Sequence, residues 1–262
     1  RSSRLPRSGS TRQKTSRKSA HWSYRATVNS FRRCLKVIDT FRLDLGGLPT
    51  LDADTAKALA EFKGGRLALY GLTTLDATTA KTLVSLKAWD GELFNLTTLD
   101  ADTATALAEF KGQILRLDRL TTLDAATAKA LAEFKGSAMY LTRLTTLDAD
   151  TVKALAKFKG SDLSINGLTM LDATTAKALA SLKAWDGQLP NLKTIDSPDS
   201  IAIAQALATR KGPLSLPNLK KISPETLTAL IAKEDVQIPL IETLELIPEP
   251  DGGATDDFVI PQ

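Results

Sequence analysis

Leucines recur along most of this chain in two alternating spacings. In LALYGLTTLD (67–76), Leu67 and Leu69 alternate with Ala68 and Tyr70, the two-residue period of a short strand. Leu72 and Leu75 follow at a spacing of three. The companion segment, ADTAKALAEFKG at 53–64, sets Thr55, Ala56, Leu59 and Phe62 on one arc of a helical wheel. Asp52 stands where an N-cap accepts the unpaired first-turn N–H groups, and Lys63 faces the negative helix end. Gly64 offers a left-handed residue that stops the helix. The pattern predicts a short strand followed by a three-turn helix.

The unit repeats. Leu51-Asp52, Leu75-Asp76, Leu99-Asp100, Leu123-Asp124, Leu147-Asp148 and Leu171-Asp172 follow one another at 24-residue intervals. Ile195-Asp196 continues the series, and Ile222-Ser223 and Leu244 close it at intervals of 27 and 22. The block 74–96 returns almost unchanged at 170–192, so four units were copied together. Growth by duplication suits a solenoid, in which each unit touches only its neighbours. The prediction is an α/β chain with a parallel sheet on one face and short helices on the other. About nine strand rungs are expected, beginning near Leu43, Leu67, Gly91, Leu115, Met139, Leu163, Gly187, Leu214 and Val236. This array spans 39–247. Before it a basic tail (1–38), expected to be disordered, leads into a cap, and after it comes an acidic tail (248–262), also expected to be disordered. Segments 31–41 and 244–250 are the expected end caps.

The pattern L-x-L-x-x-L-x-x-L-D followed by a short helix resembles a leucine-rich repeat of the 24-residue bacterial type, over about residues 39–247. Bacterial surface-protein repeats with an I-x-I-P beat are the alternative subclass. The Asn or Cys usual in that family is missing. Leu72, Leu96 and Leu120 fill the region, and the Thr-Thr that follows is expected to take over its hydrogen bonding as a ladder. What the resemblance implies is a horseshoe-like binding scaffold.

Composition narrows the chemistry. Of 262 residues, 43% are hydrophobic and 5% aromatic, so the interior must be built from Leu and Ala. One Cys (Cys34) excludes an internal disulfide framework, and one His (His21) excludes a His-rich metal site. No apolar run reaches the length of a membrane-spanning helix. The net charge of +4 conceals an asymmetry: residues 1–36 hold eleven Lys and Arg and no acid, leaving 23 basic against 30 acidic residues elsewhere. Such an arm suits an organelle transit peptide, binding to a nucleic acid or membrane surface, or a passive leader. A cytoplasmic location is the expectation, with organelle targeting and export left open.

No catalytic set can be assembled. His21 and Cys34 lie in or beside the tail, and there is no phosphate-binding glycine loop, H-E-x-x-H or G-x-S-x-G. No catalysis, cofactor or metal is expected. The Asp column 52, 76, 100, 124, 148, 172 and 196 is read as helix caps rather than a cation site, since the calcium-type glycine-rich nonapeptide is absent. Trp89 and Trp185 share AWDG turns and are expected to cover the helix-to-strand turn, with an exposed anchor as the alternative.

Function then falls to the concave face. If Leu67 and Leu69 point inward, residues 66, 68 and 70 point out, and the same register gives an exposed triplet in every rung. The first five triplets hold Arg66, Tyr70, Glu92, Phe94, Arg116, Asp118 and Tyr140, the residue types that dominate binding hot spots. Later triplets hold small polar residues and Pro190, Pro217 and Pro239. The expected function is a monomeric scaffold that binds a protein or peptide there, the aromatics as anchors and the charges setting complementarity. The alternatives are anionic-polymer binding through the basic arm, a stabilising aromatic ladder, and a purely structural array.

Overall fold

The computed structural model describes residues 42–248. The expectations for residues 1–41, including His21, Cys34 and the basic arm, and for 249–262 lie outside the described residues.

Short parallel strands alternate with eight α-helices among the described residues. In chain order they are β1 (Arg42–Asp44), α1 (Ala53–Leu59), β2 (Arg66–Ala68), α2 (Ala77–Val84), α3 (Ala101–Ala108), β3 (Ile114–Arg116), α4 (Ala125–Leu131) and β4 (Ala138–Tyr140). Then follow α5 (Ala149–Leu155), β5 (Asp162–Ser164), α6 (Ala173–Ser181), β6 (Thr194–Ile195), α7 (Ser200–Ala208), β7 (Leu214–Ser215), β8 (Lys221–Ile222), α8 (Pro224–Ile231) and β9 (Val236–Gln237). A 3-10 turn (Ile241–Thr243) and β10 (Glu245–Leu246) complete the series.

The pairing keeps the sequence period. Leu43 lies opposite Leu67, Leu115 opposite Met139, Met139 opposite Leu163, and Leu214 opposite Val236, all in parallel. The strands expected near Gly91 and Gly187 are not formed. Isolated bridges (Leu67 with Trp89, Glu92 with Arg116, Leu163 with Trp185, Gln188 with Ser215) stand in their place. The cause is local: Gly91 and Gly187 have φ of 80° and 77°, a left-handed geometry that interrupts the regular strand ladder. Besides the sheets β1-β2, β3-β4-β5 and β7-β9, a parallel sheet of order β10-β8-β6, made of two-residue strands, was not foreseen. In earlier units the same line is held by threonine. Thr73 N and Oγ1 both donate to Pro49 O (2.8 and 3.1 Å), and Thr169 N and Oγ1 both donate to Thr145 O (3.0 and 3.3 Å).

Each helix of the regular units begins at an aspartate. Asp52, Asp100, Asp124, Asp148 and Asp172 accept from the N–H three residues on at 2.6–2.7 Å, and Asp76 accepts from Thr78 and Thr79. Asp196 is not a cap. The longer segment Ser197–Asp199 moves the start of α7 onward to Ser200, behind Asp199, which makes no side-chain capping bond. Ser223 resumes the role for α8.

Helix length also differs from expectation. The helices hold 7–9 residues, about two turns at ~3.6 residues each. After Leu59 the backbone tightens into i→i+3 bonds, Phe62 N to Leu59 O at 3.0 Å among them, and this swings Phe62 into the core. Gly64 is not left-handed. Its counterparts in later units act through size: a Cβ on Gly112 would fall on the Phe110 ring, and one on Gly136 on the Phe134 ring.

The core is a stack of equivalent positions. Leu67, Leu69, Leu72, Ala80 and Leu83 share this core, all with no exposed surface, and the same set returns two units on as Leu115, Leu117, Leu120, Ala128 and Leu131. Phe110, Phe134 and Phe158 stack at 6.3 Å with near-parallel planes, a file that runs perpendicular to the strands. Leu182 takes the next file position, and in the unit after it stands Arg210, buried, donating to the carbonyls of Pro213 (3.0 Å), Leu182 (3.2 Å) and Trp185 (2.5 Å) and lying over the Trp185 ring. A buried guanidinium persists only with such partners. Burial lowers its pKa, opposed by the charges of Asp186 and Asp235.

Candidate functional site

Strand alternation sends Leu67 and Leu69 into the core and leaves Arg66 and Tyr70 on the other side of the sheet. The 24-residue register then brings corresponding positions of successive units side by side. All seven predicted residues (Arg66, Tyr70, Glu92, Phe94, Arg116, Asp118 and Tyr140) lie on this one outer face, and they touch one another.

The contacts form a continuous chain across four units. The Tyr70 and Phe94 rings stand 6.5 Å apart at 47°. The Arg116 guanidinium lies 5.0 Å from the Phe94 centroid and 4.7 Å from that of Tyr140, so an aromatic ring covers each of its neighbouring sides. Its Nε donates to Asp118 Oδ2 at 3.2 Å, and Asp118 Oδ1 accepts from Thr142 Oγ1 at 3.0 Å. Tyr140 donates to Asp162 Oδ2 at 3.0 Å. Beside this file, Arg66 bridges two acids, donating through Nε to Asp90 (2.8 Å) and through Nη2 to Glu92 (2.9 Å). The hydrogen bond to Asp44 raises the Tyr70 pKa, and the bond to Asp162 raises that of Tyr140.

Four residues counted as exposed in the triplets are buried: Ala68, Ala138, Ser164 and Ser215. Their side chains are too short to clear the longer ones flanking them. Asp44, Asp90 and Asp162, read in the triplets but not singled out, prove to be the acceptors that hold Tyr70, Arg66 and Tyr140. Their signal was positional, one register step from the residue they hold. The later part of the face also carries Asp186, whose pKa is raised because burial penalises its charge, against hydrogen bonds from Gln188, Ser164 and Asn166. From Arg42 to Asp186 the outward positions present three arginines (42, 66, 116) and six carboxylates (44, 90, 92, 118, 162, 186).

Trp89 and Trp185 are buried, which removes the exposed-anchor alternative. Each packs on the file residue of the next unit, Trp89 on Phe110 at 4.5 Å and Trp185 under Arg210 at 4.7 Å. A recess of about 650 Å³ lies beside Trp89, walled by Phe110, Lys81, Lys87 and Lys111, and none of the seven predicted residues lines it. Among the described residues no group of His, Cys, Asp and Glu is placed to hold a metal ion. None of their helices is long and apolar enough to cross a membrane.

No protein-family model matches this chain, and no curated protein is detectably similar to it.

Proposed function

We propose that this chain is a leucine-rich-repeat-like solenoid of about nine rungs that binds a protein or peptide on its concave sheet. The two isolated-bridge positions at 89–92 and 185–188 count as rungs in this reading, since each is bridged in parallel to the unit before it and to the unit after it, at offsets of 22 and 24 residues for the first and 22 and 27 for the second. One observation carries the functional part: the aromatic and arginine file Tyr70–Phe94–Arg116–Tyr140, on a face with no role in the core. Its side chains are already fixed against one another, so a partner need not order them on binding. Arg66 and Arg116 keep about two-fifths of their side-chain surface in solvent (40% and 37%). The excess of carboxylates around them favours a segment with basic side chains. The solenoid is the scaffold, and no chemical step is assigned to it.

The test is capture from native lysate on the full chain and on Phe94→Ala and Arg116→Ala chains, with Lys129→Glu as a helix-side control. Circular dichroism verifies that each bait is folded. A partner held by wild type and by the Lys129 variant, but lost from both face variants, supports the reading. One retained by the face variants, or lost from the helix-side control, rejects it.

A further inference from the structure

One position keeps lysine through seven successive units. Lys63, Lys87, Lys111, Lys135, Lys159 and Lys183 follow the core-facing file residue at 24-residue intervals, and Lys211 follows Arg210 after a longer unit. Their surroundings vary: two residues earlier stands glutamate in three units, serine in two, lysine in one and threonine in one. All seven lysines are exposed, and each lies beyond the C-cap of its helix, on the turn that leads back to the sheet. Of the seven, only Lys135 forms an ion pair, with Glu133 at 3.4 Å, and none donates to a helix-terminal carbonyl. Pairing and capping therefore do not account for the lysine.

The turns that carry these lysines lie one on another. Ser137 N and Ser161 N donate to the carbonyls of Gln113 and Ser137 (2.8 and 2.9 Å), and Leu163 N donates to Ala184 O (2.7 Å). Lys111, Lys135, Lys159 and Lys183 thus fall into one row along the edge of the array. The rings of Phe110, Phe134 and Phe158, each one residue before its lysine, set the step at 6.3 Å. In the later units the glutamate two residues earlier is gone, so Lys157, Lys159, Lys183 and Lys211 form a stretch of one sign. Glu234 takes the position in the last unit and ends the row.

We propose that this lysine row binds a single-stranded nucleic acid, with successive phosphates on successive lysines. The step suits that partner, since neighbouring phosphates of an extended strand lie at a similar separation and each one met by a lysine releases a counterion. Glycine or alanine follows every lysine of the row, so a backbone can come close. The same small residues offer a lipid surface nothing to insert. Between Lys87 and Lys111 the recess of about 650 Å³, walled by Val84, Leu86, Trp89 and Phe110, has room for a base beside the phosphates. An acidic polypeptide has no group that needs such a recess. The outer sheet face, with six carboxylates against three arginines, repels the same strand and confines it to this edge.

Fluorescence anisotropy of a labelled oligothymidylate of about 15 nucleotides, titrated with the full chain at several salt concentrations, tests this. Wild type is compared with Lys159→Gln/Lys183→Gln/Lys211→Gln and with Lys129→Gln/Lys153→Gln/Lys177→Gln, which removes the same charge from exposed helix positions. Circular dichroism verifies that each chain is folded. At ~0.7 per lost phosphate contact, the row variant is expected to lower the slope of log affinity against log salt by about 2, and to bind about tenfold or more weakly. The helix variant is expected to keep its slope within about 0.5 of wild type. The basic residues 1–36 are present in all three chains, so binding through them alone gives equal slopes and overturns the proposal. An equal loss in the helix variant, no binding by wild type, or displacement by polyglutamate as readily as by unlabelled oligothymidylate overturns it as well.

Discussion

The file residue and the residue two positions later are tied by space. A Cβ on Gly112 would meet three atoms of the Phe110 ring before any other group. The repeats obey that constraint: Phe62, Phe110, Phe134 and Phe158 are each followed by Lys-Gly, while Leu86 and Leu182 are each followed by Lys-Ala. Gly112→Ala should therefore force the ring aside, an overpacking cost of about 1–3 kcal/mol. That cost is offset by about 0.4–1 kcal/mol from the less flexible unfolded chain. Phe110→Leu trades a shape that the backbone accepts at Leu86, and loses the 4.5 Å contact with Trp89 and the 6.3 Å stack on Phe134. We expect about 1–2 kcal/mol for it. In the double variant the alanine meets no ring, so its cost vanishes and only the entropic gain remains. Urea unfolding of the four chains should then give a favourable coupling of about 1–3 kcal/mol, the overpacking cost itself, since the entropic gain is present in both backgrounds. Additivity within about 0.5 kcal/mol would refute the steric account and leave the Phe-Lys-Gly and Leu-Lys-Ala pairing unexplained.

Asp124→Ala should cost about 1 kcal/mol in urea unfolding by leaving the Thr127 N–H without its acceptor, and no measurable loss would remove Asp124 as a cap. The capping bonds hold the Asp52, Asp76, Asp124, Asp148 and Asp172 pKa values below the usual carboxylate range, through backbone N–H donors or, first for Asp76 and Asp172, a threonine hydroxyl. A lowered folded pKa means stability fully present above the unfolded value of about 4 and lost as pH falls through the folded values. Thermal midpoints followed from pH 6 to pH 2 should decline mainly below about pH 4, and a decline complete by pH 5 would contradict this. Arg210→Ala leaves three carbonyls without their donor and the Trp185 face uncovered, and at about 1–3 kcal/mol per stranded acceptor should cost several kcal/mol by the same unfolding assay. Arg116→Lys keeps the charge but cannot lie flat between two rings, and should lower stability by about 1 kcal/mol. An unchanged midpoint there would mean that the Phe94–Arg116–Tyr140 contacts add nothing.

Periodicity made the strand and helix positions legible because each unit buries the same few side chains. Leu59, Leu67, Leu69, Leu72 and Asp76 read correctly from spacing alone. The departures occur where one residue acts through its neighbour in space. Gly64 looks like a helix stop in one dimension, but its counterparts Gly112 and Gly136 make room for a ring. Gly91 and Gly187 sit at strand positions by register, yet their left-handed φ breaks the strand. Asp196 keeps the period while an insertion moves the helix away from it. Arg210 occupies a phenylalanine position, and only the carbonyls that turn toward it explain a cation there. On the outer face the register found the seven residues but not their mutual bonds, since the partners Asp44, Asp90 and Asp162 stand 22–26 residues away from the groups they hold.

Those mutual bonds decide what the face can offer a partner. A loose arginine or tyrosine must give up side-chain freedom on binding, at a cost of about 0.5–1.5 kcal/mol each. Arg116 between Phe94 and Tyr140, and Tyr140 against Asp162, have that freedom removed already by folding. The same bonds consume polar groups: the Tyr140 hydroxyl proton is donated to Asp162, and Arg66 spends two of its donors on Asp90 and Glu92. A partner therefore gains from ring edges and from carboxylate oxygens with spare acceptor capacity, not from the tyrosine hydroxyl. Under the proposed binding role, ladder and site are one arrangement seen at two levels: the contacts along the sheet hold its aromatic surface in place, and the acidic groups at its margin would select what approaches.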